Sequence, residues 1–350
     1  MTTPQRTGPA SGPAIVTRGL TRTFTAKKRT VEAVRGLDLE IERGELVAFL
    51  GPNGAGKSTT LRMLTTLLVP TAGTAEIEGY DVVRDQRAVR RSIGYVGQGN
   101  GAGHQQRGRD ELVSQGRAYG LAKAEARSRA DQLVAELDLG EVADRVVSTL
   151  SGGQRRRLDI ALGLVHSPGV LFLDEPSTGL DPQNRANLQQ QIRRLHTERG
   201  TTIVLTTHYL EEADALAQRV IVIDHGRVIA DDSAARLKSS LGDLVTMGFA
   251  DPEHAVLAAG RAAGRRPDAA VQRAGAVVRV RVAQGSELAP GLVQDLAAAG
   301  APVTRLEVAG PTLDDVFLQL TGRSLREAGA ATTEPSTGSS TENTLEGAAA

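Results

Sequence analysis

The 350-residue chain has no cysteine, which excludes disulfide staples, thiolate chemistry and a cysteine-built zinc site. A reducing cytoplasm suits such a chain. It has no net charge, with 41 Lys plus Arg against 41 Asp plus Glu, so no overall field draws it to nucleic acid or to an anionic membrane. It also lacks long apolar runs: Val170 to Leu173 and Val220 to Ile223 are strand-sized, whereas a bilayer span needs about 20 apolar residues. Met1 to Pro13 is rich in Thr, Gly and Pro without the apolar centre of a secretory signal, and residues 1–13 are expected to be a disordered lead-in. No internal repeat is visible. From Ala328 onward Ala, Thr, Ser, Gly and Glu dominate, so the tail, 324–350, is also expected to be disordered.

What is present is a repeated strand and helix pattern. Leu46 to Leu50 is an unbroken apolar run, followed by a glycine-rich turn and by helical spacing over Thr59 to Leu68. Val170 to Leu173, Ile203 to Leu205 and Val220 to Ile223 have the continuous character of strands buried on both faces. The fold class is therefore α/β with a mostly parallel core sheet. Between Arg109 and Val147 the residues Leu112, Tyr119, Leu121, Leu133, Leu137 and Leu139 recur at helical spacing, which predicts a helical subdomain over about 99–150. After Lys238 to Gly242 the texture changes. Leu244 to Ala250 reads as strand, Pro252 to Ala263 as helix, and a hairpin turns at Ala274 and Gly275. Leu288 to Ala299 reads as helix, Val303 to Val308 as strand and Leu313 to Leu320 as a closing helix. This order predicts a small α+β ferredoxin-like C-terminal domain. The expected domains are thus 14–241 for the main unit and 242–323 for the accessory one.

Gly51 to Ser58 reads GPNGAGKS, a phosphate loop placed between a strand and a helix. Its glycines allow backbone N–H groups to approach phosphate oxygens, and the following helix aims its positive end at the anion. The candidate nucleotide contacts are Gly51, Pro52, Asn53, Gly54, Ala55, Gly56, Lys57, Ser58 and Thr59. Lys57 is expected on the β- and γ-phosphates, and the Ser58 hydroxyl on Mg²⁺. Asp174 and Glu175 emerge at the carboxyl end of a core strand, where α/β sheets bind ligands. Asp174 is assigned to Mg²⁺ through water, and Glu175 to orienting and deprotonating the attacking water.

Leu150 to Gln154 reads LSGGQ and precedes a helix-compatible stretch to Val165. Ser151 supplies a hydroxyl, Gly152 and Gly153 permit close backbone approach, and with Gln154 they make a second anion-binding helix terminus. If the helical insertion holds it at the outer edge of the domain, it does not easily serve the nucleotide of its own subunit. A facing copy, hence a head-to-tail homodimer, is expected. His208 follows the strand Ile203 to Leu205 and is a candidate for the γ-phosphate, against the alternative of a polar cap. Asp181, in GLDP, either links two sites across a dimer or only shapes a turn. Gln98 either touches Mg²⁺ or water or is a solvated amide. Phe24, on a short N-terminal strand, either stacks on adenine or packs. Arg155 to Arg157, with no interleaved aromatics, read as a solvated or phosphate-facing rim. His104 with Gln105 and Gln106 lacks metal-ligand spacing and reads as loop.

In their order, GPNGAGKS, Gln98, LSGGQ, VLFLDE and His208 resemble the motifs of the ATP-binding subunit of ABC transporters, over roughly Ile15 to Leu241. The resemblance implies ATP and Mg²⁺, a dimer sandwiching two ATP molecules, a separate membrane permease, and a peripheral place on the cytoplasmic membrane face. STGLDPQNR, LTTHYLEEADALAQRVIVID and VTRLEVAGPTLDDVFLQLTG are similar to the daunorubicin-resistance type of drug-export ATPase. The cargo this implies is a drug-like or other hydrophobic compound, with lipid, polysaccharide or ions as alternatives. Soluble ABC ATPases that act on nucleic acid or ribosomes usually carry two nucleotide domains or a coiled-coil insertion. This chain has neither, so no nucleic-acid partner is expected. Three positions depart from the pattern. Gly97 to Gly108, in the region that contacts the permease in the family, lacks the usual acidic and apolar residues. Gln154 stands where Met is common in drug-export members, and Phe24 where Tyr is common.

Overall fold

The computed structural model describes residues 12–26, 29–99, 101–103 and 105–322. Most of the expected lead-in, His104 and the expected tail lie outside the described residues.

The strands form where β-branched and aliphatic residues run together. β1 (Ile15–Ala26), β2 (Arg29–Ile41) and β4 (Ala72–Ile77), with the two-residue β5 (Tyr80–Asp81), make an antiparallel sheet in the order β2-β1-β4-β5. The N-terminal strand that carries Phe24 is therefore not short: β1 is 12 residues long. Its Thr and Arg positions conceal a buried stripe of Ile15, Thr17 and Leu20.

β3 (Leu46–Leu50) lies in a second sheet with β6 (Ile93–Val96), β7 (Val170–Asp174), β8 (Thr202–Thr207), β9 (Arg219–Asp224) and β10 (Arg227–Asp232), in the order β10-β9-β3-β8-β7-β6. All neighbours are parallel except β9 and β10. Alternate side chains of a strand face opposite ways. Leu46, Ala48 and Leu50 accordingly join one apolar core, while Val47 and Phe49 join another. Both faces are dry, which is why these strands read as continuous apolar runs.

α1 (Lys57–Leu64) follows β3, and α2 (Gln86–Ser92) precedes β6. α1 stops four residues short of the expected Leu68, because Thr66 takes a left-handed φ of 63°. The amides of Leu67 and Leu68 then both turn back onto the Arg62 carbonyl at 2.9 Å. The helical insertion comprises α3 (Gly108–Ala118) and α4 (Lys123–Glu136). Its Leu112, Leu133, Leu137 and Leu139 are buried in the same core as Leu171 and Leu205. α5 (Gly152–Leu164) runs from LSGGQ to β7, α6 (Pro182–Arg199) joins β7 to β8, and α7 (Leu210–Leu216) joins β8 to β9.

Beyond α8 (Ala234–Ser239), a third sheet contains β11 (Asp243–Gly248), β12 (Ala270–Ala274), β13 (Val277–Val282) and β14 (Arg305–Ala309). Its order is β12-β13-β11-β14, all antiparallel, with α9 (Pro252–Arg265) and α10 (Gly285–Ala298) inserted in a β-α-β-β-α-β sequence. Val245, Met247, Val280, Leu292 and Leu296 give it a core of its own. The closing helix α11 (Leu313–Thr321) behaves differently: its Leu313, Val316 and Phe317 sink into the core of the larger unit, beside α7 and α8. Among the described residues no helix is long and apolar enough to cross a membrane.

Candidate active site

The phosphate loop is shaped by backbone crowding. A side chain at Gly51 would collide with the Ile223 carbonyl, and one at Gly56 with that of Ala33. Gly56 also holds a φ of 108° as it opens α1, a conformation that glycine alone enters without strain. The loop and the start of α1 wrap a cavity of about 360 Å³, lined by Asn53 to Thr59 together with Gln98 and Glu175. Phe24, Ser151, Asp181 and His208 do not line this cavity.

Lys57 is buried, and its Nζ donates to the carbonyls of Gly51 at 2.6 Å and Pro52 at 3.0 Å. Burial lowers its pKa, and the charges of Glu175 and Asp174 oppose that shift. The Ser58 hydroxyl donates to Asp174 Oδ1 at 2.8 Å, and Gln98 Nε2 donates to Ser58 Oγ at 3.3 Å. Parallel pairing of β6 with β7, Val96 opposite Leu173, explains why Gln98 arrives beside the acid pair. Glu175 stands between Lys57 and His208: its Oε1 is 3.9 Å from Lys57 Nζ and its Oε2 is 3.4 Å from His208 Nδ1. The imidazole, then the Lys57 charge, holds its carboxyl below the usual range, against a desolvation cost that pushes upward. Glu175 has a left-handed φ of 47°, which for a non-glycine residue costs about 1–3 kcal/mol and persists only where neighbours enforce it. Thr206 is one such neighbour. Its buried hydroxyl donates to Asp174 Oδ1 at 2.6 Å and accepts from the Glu175 amide at 2.9 Å.

Ser151 caps α5 in a reciprocal box: its Oγ accepts from the Gln154 amide at 3.3 Å, and Gln154 Oε1 accepts from the Ser151 amide at 3.0 Å. Asp181 caps α6, accepting from the Asn184 amide at 3.0 Å and from its side-chain nitrogen at 2.5 Å. The two caps meet, because a side chain at Gly153 would come within 2.5 Å of Asn184 Oδ1. Phe24 is half-exposed at 40%, with the Arg22 guanidinium 4.6 Å above its ring.

Spacing alone did not reveal several residues. Arg156 is not part of a solvated rim. It is buried and donates to the carbonyls of Gly97 (2.6 Å), Pro176 (2.8 Å) and Asp174 (3.1 Å), so α5 is tied to the loops after β6 and β7. The atypical stretch after Gly97 is pinned by Asp159, which accepts from the amides of Gly101 at 3.0 Å and Ala102 at 3.1 Å. Beside it lies a cavity of about 320 Å³ lined by Tyr95, Gly101, Tyr119 and His166, the last two rings stacked 3.8 Å apart. Glu212, one turn beyond His208, is 1% exposed. Burial raises its carboxyl pKa, and Thr207, Ser177 and Arg185 pull the other way. A three-arginine run and isolated acids give no sign of burial before the chain is folded.

A dry, mostly parallel sheet, a glycine loop feeding a helix from β3 and an acid pair at the end of β7, two strands away, define a P-loop ATPase. The family model for ABC transporters matches residues 34–178. A daunorubicin resistance ATP-binding protein, DrrA3 of Streptomyces coeruleorubidus, is 43% identical over 90% of this chain and 98% of its own. The doxorubicin resistance ATP-binding protein DrrA of Mycobacterium tuberculosis strain H37Rv is 38% identical over 88% and 93%. Among solved structures, the ATP-binding cassette MJ0796, in a dimeric post-hydrolysis state with ADP and Pi, superposes with a TM-score of 0.58 at 27% identity. It covers 63% of this chain and 98% of that one. The chain belongs to the ABC transporter family as an ATP-binding, ATP-hydrolysing subunit, and its relatives place it with the daunorubicin-resistance type.

Proposed function

We propose that this subunit couples ATP hydrolysis to export of a drug-like or other hydrophobic compound through a separate permease, as a homodimer on the cytoplasmic face of the membrane. The observation that carries the reading is end-to-end similarity to a resistance ATP-binding protein, 98% of whose length is covered. Residues 14–241 act as the nucleotide-binding unit, with the helical subdomain about 99–150, and residues 242–323 as the accessory domain.

Catalysis works by positioning and electrostatics. Lys57 turns from the Gly51 and Pro52 carbonyls to the β- and γ-phosphates. Glu175 takes a proton from the attacking water, and His208 steadies the γ-phosphate. Ser151 and Gly153 of one copy close the site of the other. The hydroxyl of Ser58 and the carboxylate of Asp174, 2.8 Å apart with Gln98 beside them, form a hard-oxygen set that fits Mg²⁺. When bound, that ion neutralises charge across the phosphates. The adenine face of Phe24 is the side not covered by Arg22. The cavity beside Gly101 and the Tyr119–His166 stack is the seat for the permease.

Membrane co-purification of the tagged chain, followed by ATPase assays of the complex, tests the proposal. A co-isolated permease and stimulation by hydrophobic drugs are expected. Recovery without any membrane protein, or ATPase stimulation by nucleic acid, would overturn it.

A further inference from the structure

Resting on the assignment of Glu175 as base, we infer that Thr206 is a positioning residue for hydrolysis, one hydroxyl that sets both acids of the site. Thr206 lies directly across the β7–β8 ladder from Asp174 and is fully buried. A hydroxyl has one proton to give and lone pairs to receive. Here the proton goes to Asp174 Oδ1 at 2.6 Å, and a lone pair takes the Glu175 amide at 2.9 Å. The same Asp174 oxygen receives the Ser58 hydroxyl at 2.8 Å. The Glu175 amide also reaches the Thr206 carbonyl at 3.2 Å, so both its partners belong to a single residue. That amide belongs to the peptide that enters the left-handed turn at φ 47°. The turn swings the carboxylate back toward Lys57 and His208 instead of continuing along the strand.

Threonine suits the task because β-branching restricts χ1 and aims the hydroxyl before nucleotide arrives. Valine in its place keeps the volume and removes the hydroxyl. Asp174 Oδ1 then keeps only the Ser58 hydroxyl, and the Glu175 amide keeps only the Thr206 carbonyl. Thr206 does not line the phosphate-loop cavity, so its loss acts on turnover more than on ATP affinity.

The test uses the full chain with Thr206→Val, Thr206→Ser and Glu175→Gln measured in parallel for kcat, for ATP affinity with and without Mg²⁺, and for Tm. Thr206→Val is expected to lower kcat by roughly 10–100-fold while metal-free ATP affinity stays within about threefold, the signature of misplaced reacting groups. Thr206→Ser, which keeps the hydroxyl, is expected to recover most of the rate. Parental turnover in Thr206→Val beside an inactive Glu175→Gln overturns the inference and leaves the base assignment standing. Equal loss in the serine and valine variants also overturns it, because serine keeps the hydroxyl and would then recover nothing by it. Parental turnover in Glu175→Gln removes the underlying assignment itself. Should the valine variant not fold, Thr206→Ser against Thr206→Ala isolates the hydroxyl in the same way, and equal rates in that pair overturn the inference.

Discussion

His208 Nδ1 stands 3.4 Å from Glu175 Oε2, on the side of the carboxylate opposite Lys57. The imidazole comes from the loop after β8 and the carboxylate from the end of β7, so two neighbouring parallel strands deliver an oriented pair. The imidazole holds the Glu175 carboxyl below its ordinary value of 4.5. The group is therefore already a base at neutral pH.

Glu175→Gln should keep every phosphate contact while losing the base, which typically lowers rate by about 10²–10⁴-fold. ATP affinity should remain, and an ATP-bound dimer should accumulate, visible by size-exclusion chromatography with labelled nucleotide. His208→Ala should let the Glu175 pKa rise. The acid limb of its residual kcat–pH profile should then lie at higher pH than the parent's.

Arg156 feeds its guanidinium to three backbone carbonyls at once. Arg156→Met keeps much of the stem but strands those acceptors, each buried group without a partner costing about 1–3 kcal/mol. A Tm drop of several degrees is expected, with loss of ATPase, because α5 no longer holds the loops at Gly97 and Pro176. Thermal unfolding with and without ATP checks this. An unchanged Tm would return the residue to the solvated rim.

Glu212 carries a pH signature of stability. Its folded pKa is raised by burial, so the folded state binds the proton more tightly than the unfolded one. Its contribution is most favourable below the ordinary value of 4.5 and is lost as pH rises through the raised value. Glu212→Gln removes that dependence. The Tm of the variant relative to the parent should be higher at pH 8 than at pH 5, a comparison made by calorimetry across the two buffers.

Gly153 and Asn184 form a contact that couples the caps of α5 and α6. Gly153→Ala should push Asn184 off Asp181 and cost about 1 kcal/mol through the spoiled cap. Trimming the partner in Gly153→Ala/Asn184→Ala should add less than the sum of the single changes, since both act on one contact. A double-mutant cycle in urea checks it, and strict additivity would count against the contact.

What the chain order made readable was local. The glycine loop, the paired acids and the LSGGQ stretch are contiguous, and each needs only its own strand or helix to acquire meaning. The α-β alternation was legible for the same reason, since strands buried on both faces must be apolar throughout. The antiparallel N-terminal sheet was harder to read, because the polar Thr17 is fully buried beside the exposed Arg18. α1 ended early for a reason carried by a single left-handed threonine.

Sequence by itself determined the family, the order of the motifs and the residue types that phosphate chemistry requires. Tertiary structure decided which of those residues meet. Ser58 reaches Asp174 across 116 positions of chain, Gly101 reaches Asp159 across 58, and Glu175 reaches Thr206 across 31. Such partners lie on neighbouring strands or packed helices, and nothing in local periodicity encodes which strand lies beside which. Burial then changes their character. The same arginine that would be solvated on a free helix becomes, once α5 packs against the sheet, the donor that satisfies three carbonyls.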